Sequence, residues 1–108
     1  MTVEQLANTE GFEPIVISDK DRKILGGYAG DLLSWVMGRA KEGDAWVTIM
    51  TNANTVAVCT LADPACIVLA EGVEPEPEML KRAREQGINV IGTKLDSFTA
   101  SVRIASLL

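Results

Sequence analysis

Three clusters of hydrogen-bonding side chains carry what chemistry this chain offers, and each directly follows an apolar run. Thr51, Asn52 and Asn54 come after Ala45 to Thr51, Glu71 and Gly72 after Cys66-Ile67-Val68-Leu69-Ala70, and Thr93, Asp96, Ser97 and Thr99 after Asn89-Val90-Ile91-Gly92-Thr93. If the runs are parallel strands, these groups converge on one sheet edge, where open α/β sheets bind small ligands. The expected ligand-binding set is therefore Thr51, Asn54, Glu71, Gly72, Thr93, Asp96, Ser97 and Thr99. Such groups hold a polar ligand but supply no activated nucleophile. The plainer account of Asn54 and Asp96 is that they cap the helices that follow.

A fourth feature, Gly26-Gly27-Tyr28-Ala29-Gly30, invites a phosphate reading, because glycines let backbone N–H groups approach an anion. Gly26 and Gly27 join the candidate set on that ground. The spacing is not G-x-G-x-x-G, and no P-loop lysine with a following Ser or Thr exists, so a tight turn accounts for it equally.

The chain has no histidine. That removes Ser-His and Cys-His couples and the usual zinc ligand sets. Cys59 and Cys66 sit in apolar surroundings and read as small buried hydrophobes, with a redox or disulfide role as the alternative. Glu71, Glu74, Glu76 and Glu78 flank a helix start, where the dipole favours negative charge. No catalytic residue, metal ligand or cofactor is assigned.

The elements that must position these groups follow from local patterns. Thr2, with Gln5 three residues on, opens a short helix that stops by Gly11. Ile15 to Ile17 is a first strand. Asp31 is placed to cap a helix from Leu32 to about Ala40, with Leu32, Leu33, Val36, Met37 and Ala40 on its core side and Trp35 at the rim. Gly43 closes that helix in the left-handed region. Strands follow at Ala45–Thr51, Ile67–Ala70 and Asn89–Thr93, and helices at Val56–Ala62, Pro75–Gly87 and Ser97–Leu107. The segment from Cys66 onward is a βαβ unit, so the fold class is α/β, with a small mostly parallel sheet of about four to five strands and helices on both faces.

At 108 residues, with 47% hydrophobic and 23% charged residues, the chain reads as one globular domain over residues 1–108. A formal charge of −5 with no long basic block makes nucleic acid a poor partner. No run nears the roughly 18 apolar residues of a membrane span, and the first residues lack a signal pattern, so a cytoplasmic location is expected.

Ile67 to Ala100 resembles the DRTGG domain: a strand ending in a glycine turn, an acidic proline-containing helix start, Gly87-Ile88-Asn89-Val90-Ile91, then Asp96-Ser97-Phe98-Thr99-Ala100. The likeness extends more loosely over Gly26 to Leu61. Asp21-Arg22 and Gly26-Gly27 stand apart rather than forming the run that names the family, and Glu71 stands where members often have glycine. The resemblance implies a fold related to the N-terminal part of HPr kinase/phosphorylase and a non-catalytic regulatory role. Two partners are expected on that basis: a small ligand such as an adenine nucleotide, or a larger metabolic or redox enzyme such as a hydrogenase.

A homodimer is expected from the last helix. At 100° per residue, Phe98, Val102 and Ala105 form one apolar stripe, and Ala100, Ile104 and Leu107 another. One stripe packs on the sheet. The other is left to a partner, and the interface is assigned to Ala100, Ile104 and Leu107 with Trp35 and Met37.

Overall fold

The computed structural model describes residues 1–108. Its elements run α1 (Val3–Ala7), β1 (Phe12–Val16), β2 (Gly26–Ala29), α2 (Leu33–Arg39), β3 (Asp44–Thr48), α3 (Ala53–Ala62), β4 (Cys66–Leu69), α4 (Pro77–Gln86), β5 (Val90–Thr93) and α5 (Ser97–Leu107). The five strands form one sheet in the order β1-β5-β4-β3-β2. β2, β3, β4 and β5 are parallel, and β1 alone runs antiparallel, against β5. This is the α/β class expected, with a mostly parallel sheet.

The three central strands are buried at every position, as parallel strands covered on both faces must be. Alternation sorts their side chains. Ala45, Val47, Cys66, Val68 and Ile91 pack with α1 and α5 on one face. Trp46, Ile67, Leu69 and Val90 pack on the other with Val36, Val56, Met79 and Ala83 from α2, α3 and α4. Successive helices on that second face lie side by side, so α2 is the outermost, next to the β2 edge.

Several local readings hold. Thr2 and Gln5 form a reciprocal capping box, Gly87 ends α4 at φ 69°, and Asp96 caps α5. The segment Val56–Ala62 is helical within α3.

Six readings are corrected. β1 spans Phe12–Val16 rather than starting at Ile15, because its pairing with β5 begins at Phe12 opposite Thr93. Gly26–Ala29 is an edge strand rather than a turn, paired in register with β3 from Gly26 opposite Asp44; two glycines masked the β pattern. The strand read as Ala45–Thr51 ends at Thr48, where Asp31 Oδ1 accepts from both Thr48 Oγ1 (2.8 Å) and Ile49 N–H (2.9 Å). Asp31 is thereby drawn away from α2, whose N-cap is Leu32 with no side-chain bond. The apolar stripe expected on α2 is only partly buried: Val36 is fully buried and Leu33 and Ala40 pack against its cluster, but Leu32 and Met37 are exposed. Gly43 is left-handed at φ 82°, yet α2 already ends at Ala40.

Ala100 and Ile104 are buried in the core (0% and 3% exposed), because their stripe is the one that lies on β2 and β3. They are unavailable to a partner in this fold, and the interface assigned to them is withdrawn. The stripe left in water is Phe98 and Val102, 78% and 53% exposed. Leu107, Trp35 and Met37 are exposed.

Candidate functional site

With four strands parallel, the loops after β2, β3, β4 and β5 share one sheet edge, joined by the start of β1. Eight of the ten expected binding residues lie along it. Gly26 and Gly27 do not: they open β2 beside Asp44 and Ala45 at the start of β3, which is the opposite edge. Strand polarity, not side-chain chemistry, removes them from the site.

The eight fall into two linked groups. On the β3 side, Thr51 Oγ1 donates to Glu76 Oε2 (3.3 Å) while the Thr51 carbonyl accepts from Glu76 N–H (2.9 Å). Asn54 sits exposed in the first turn of α3 and donates its N–H to Asn52 Oδ1 (2.9 Å), so Asn52 is the cap.

On the β4–β5 side the linkage is tighter. Glu71 and Gly72 both adopt positive φ, 63° and 70°, forming a turn that suits glycine at the second position better than glutamate at the first. Gly72 N–H donates to the Thr93 carbonyl (2.9 Å) and Glu71 N–H to the Leu95 carbonyl (2.8 Å), tying the end of β4 to that of β5. Thr93 Oγ1 donates to the Gly11 carbonyl (2.6 Å) and accepts from Leu95 N–H (3.1 Å). Its hydroxyl is committed to holding the edge together.

The start of α5 is already satisfied by carboxylates. Asp96 accepts from Thr99 N–H (2.7 Å) and Thr99 Oγ1 (3.0 Å), and Glu71 Oε2 accepts from Ser97 N–H (3.2 Å). The Thr99 bonds hold the Asp96 carboxyl below its ordinary range, since they favour the ionised form. An anion approaching α5 meets two negative groups in the place a phosphate would take.

The open space lies beside this turn. A cleft of about 300 Å³ is lined by Gly72, Glu74, Pro75, Thr93, Lys94 and Glu13, and a second of about 220 Å³ by Gly11, Phe12, Glu13, Thr93 and Lys94. Lys94 borders both and is in no ion pair. Sequence reading passed over it; the available signal was a lone basic residue directly after the last strand. Gly72 carries no steric burden in the cleft, as a Cβ there would meet only the Lys94 stem at 3.9 Å.

An apolar concavity of about 320 Å³ lies elsewhere, between β2 and α5. The opposite sheet edge is held by Asn89, whose Oδ1 accepts from Ser18 and Asp19 N–H (2.8 and 2.9 Å) and whose Nδ2 donates to the Asp19 and Ala65 carbonyls (3.0 Å each).

Comparison with known proteins fits this geometry. No curated protein matches the sequence. Among solved structures, the chain superimposes with a TM-score of 0.72 on the CBS and DRTGG domains of the regulatory region of Clostridium perfringens pyrophosphatase, a structure complexed with the activator diadenosine tetraphosphate. The match has 22% sequence identity, covers 94% of this chain and 44% of that one, and at that identity is a likeness of fold. This chain thus spans less than half the length of that regulatory region. The DRTGG domain family model matches residues 29–107, most of the chain, and the chain belongs to the DRTGG domain family.

Proposed function

We propose that this chain is a non-catalytic regulatory or accessory module that senses a small ligand, an adenine nucleotide in class, and acts as a homodimer. The observation that carries the reading is the Gly72–Lys94 cleft. It places an unpaired cation and a glycine turn at the carboxyl ends of parallel strands, where α/β sheets take small ligands. The pyrophosphatase regulatory region that shares this fold was crystallised with a dinucleotide activator, which is the reason to try adenine nucleotides first. The one hydroxyl lining the cleft, that of Thr93, is bound to backbone, and the cleft carboxylates Glu13 and Glu74 pair with no acid or base, which favours sensing over catalysis.

The test is thermal unfolding with AMP, ADP, ATP and diadenosine tetraphosphate. A ligand at a hundred times its dissociation constant stabilises by about 2.7 kcal/mol, which raises the melting temperature of a chain this size by about 10 °C. Lys94→Glu should abolish the rise. No shift with any nucleotide at millimolar concentration overturns the sensor reading.

Exposure of Phe98 and Val102 on α5 favours a second reading, an interaction subunit docking on a larger metabolic or redox enzyme. A silent nucleotide panel, together with protection of the Phe98–Val102 amides from exchange by a purified iron-iron hydrogenase, supports it over the first.

A further inference from the structure

The two edges of the sheet are built differently. β1 is guarded in the ways that stop strands from recruiting others: exposed Glu13 and Pro14, and a register irregularity between Pro14 and Val16. β2, at the other end, has none of these. From Ile24 to Gly30 the sequence is Ile-Leu-Gly-Gly-Tyr-Ala-Gly, without a charge, a proline or a bulge.

The backbone of β2 is half-used. Gly30 N–H donates inward to the Val47 carbonyl (3.1 Å), while the Asp44 carbonyl is taken by Ala65 N–H on the β4 side, so by the two-residue period Gly26 and Tyr28 face β3 and Gly27 and Ala29 turn their N–H and C=O groups to the open side. No strand pairs with that side. Beside it, on the α5 face, lies the apolar groove of about 320 Å³, floored by Ala45 and Val47 and walled by Ile104, Ala105 and Leu108.

We infer that the open edge of β2 is the homodimer contact, where two copies pair antiparallel about Tyr28 to make one continuous sheet. In that register Gly27 and Ala29 exchange N–H···O=C bonds with the partner's Ala29 and the partner's Gly27, four in all. The contact is isologous and closes on itself.

Charge and area choose a second copy as the occupant. Each chain carries −5, so two copies can meet at low electrostatic cost only through a neutral stretch, and Ile24–Gly30 with Ala105–Leu107 is such a stretch on adjoining elements. A stable dimer buries about 800 Å² per partner. A lone peptide strand would fill the groove alone, whereas a second copy also reaches the outermost helix α2 on the other face, where Leu32 (60% exposed), Trp35 (55%) and Met37 (45%) stand in water.

The inference rests on the homodimer of the proposed function, and one experiment separates the two. Sedimentation at tens of micromolar should give a dimer for the native chain and a monomer for Ala29→Lys, which places like charges near the axis at an already exposed position and should leave the circular dichroism unchanged. Amide exchange on the native chain is the second readout: Gly27 and Ala29 should be protected at high concentration and exchange at least tenfold faster on dilution. A native monomer overturns both the dimer and this contact. A dimer in which Gly27 and Ala29 exchange freely, or which a folded Ala29→Lys variant retains, overturns the contact alone.

Discussion

Glu71 Oε2 accepts a hydrogen bond from Ser97 N–H at 3.2 Å, so the residue that turns the chain out of β4 also closes the first turn of α5. The glutamate holds this contact from a left-handed backbone, φ 63°. Two effects oppose each other here: the strained conformation costs about 1 kcal/mol, and a carboxylate at a helix start returns about 0.5 kcal/mol. The turn is close to neutral in energy, and its effect is electrostatic.

Glu71→Gly should therefore leave stability within about 1 kcal/mol of the native chain, with strain relief set against the lost helix-start charge. It should also strengthen binding of an anionic nucleotide severalfold at low ionic strength, since it removes one of the two carboxylates at the α5 start. Urea unfolding and nucleotide titration read the two effects separately. Weaker nucleotide binding in this variant would place the ligand away from the turn.

Much of this was legible because it is local. Thr2 and Gln5, Asp96 with Thr99, and Gly87 each announce a helix end through a bond made within four residues. What was illegible depended on partners far along the chain. Gly26–Ala29 is a strand only because β3 is beside it, and without that strand its polarity, and so the edge to which Gly26 and Gly27 belong, could not be read. The two stripes of α5 are of similar apolar content. Only the surface offered by Ala45 and Val47 decides that Ala100 and Ile104 go inward. Lys94 gave no pattern at all; it gains meaning from the clefts that β1, antiparallel to β5, closes around it.

Asn89 anchors the edge opposite the candidate site, satisfying two N–H groups and two carbonyls while 3% exposed. Asn89→Ala should cost about 3 kcal/mol, because the Ala65 carbonyl is left unpaired in the interior and the Ser18–Asp19 turn loses its acceptor. Urea denaturation checks this. Any nucleotide affinity should stay unchanged below the transition, as the side-chain hydrogen bonds of Asn89 go to Ser18, Asp19 and Ala65 and to no cleft residue.

Burial pushes the Cys59 and Cys66 thiols up from 9.0 to about 12; the charge of Asp63 adds to the effect at Cys59. A thiol whose folded pKa is raised contributes stability that is intact below the unfolded value and lost as pH climbs toward the folded one. Unfolding stability should accordingly be flat in these groups to about pH 9 and then fall by up to about 1.4 kcal/mol per pH unit for each thiol. Alkylation by iodoacetamide at pH 8 should be negligible in the native protein and complete for both cysteines in urea. Rapid native labelling of either one would contradict its burial.

Ile104 and Phe98 lie on different faces of one helix, and a charge placed at each should have opposite consequences. Ile104 is 3% exposed in the core beside Ala100 and Val47, so Ile104→Glu buries a carboxylate with no partner and should cost more than about 4 kcal/mol, enough to unfold much of the protein. Phe98 is 78% exposed, and Phe98→Glu should change stability by no more than about 0.5 kcal/mol. Because Phe98 is on the first turn of α5 and the β2 groove is lined by its later residues Ser101, Ile104 and Ala105, Phe98→Glu should also leave the sedimentation of the native chain unaltered. Circular dichroism melts of the two variants, run with sedimentation of Phe98→Glu, decide the assignment: a folded Ile104→Glu would mean that the helix presents its other stripe to the sheet, and dissociation of a Phe98→Glu dimer would move the interface from β2 to the start of α5.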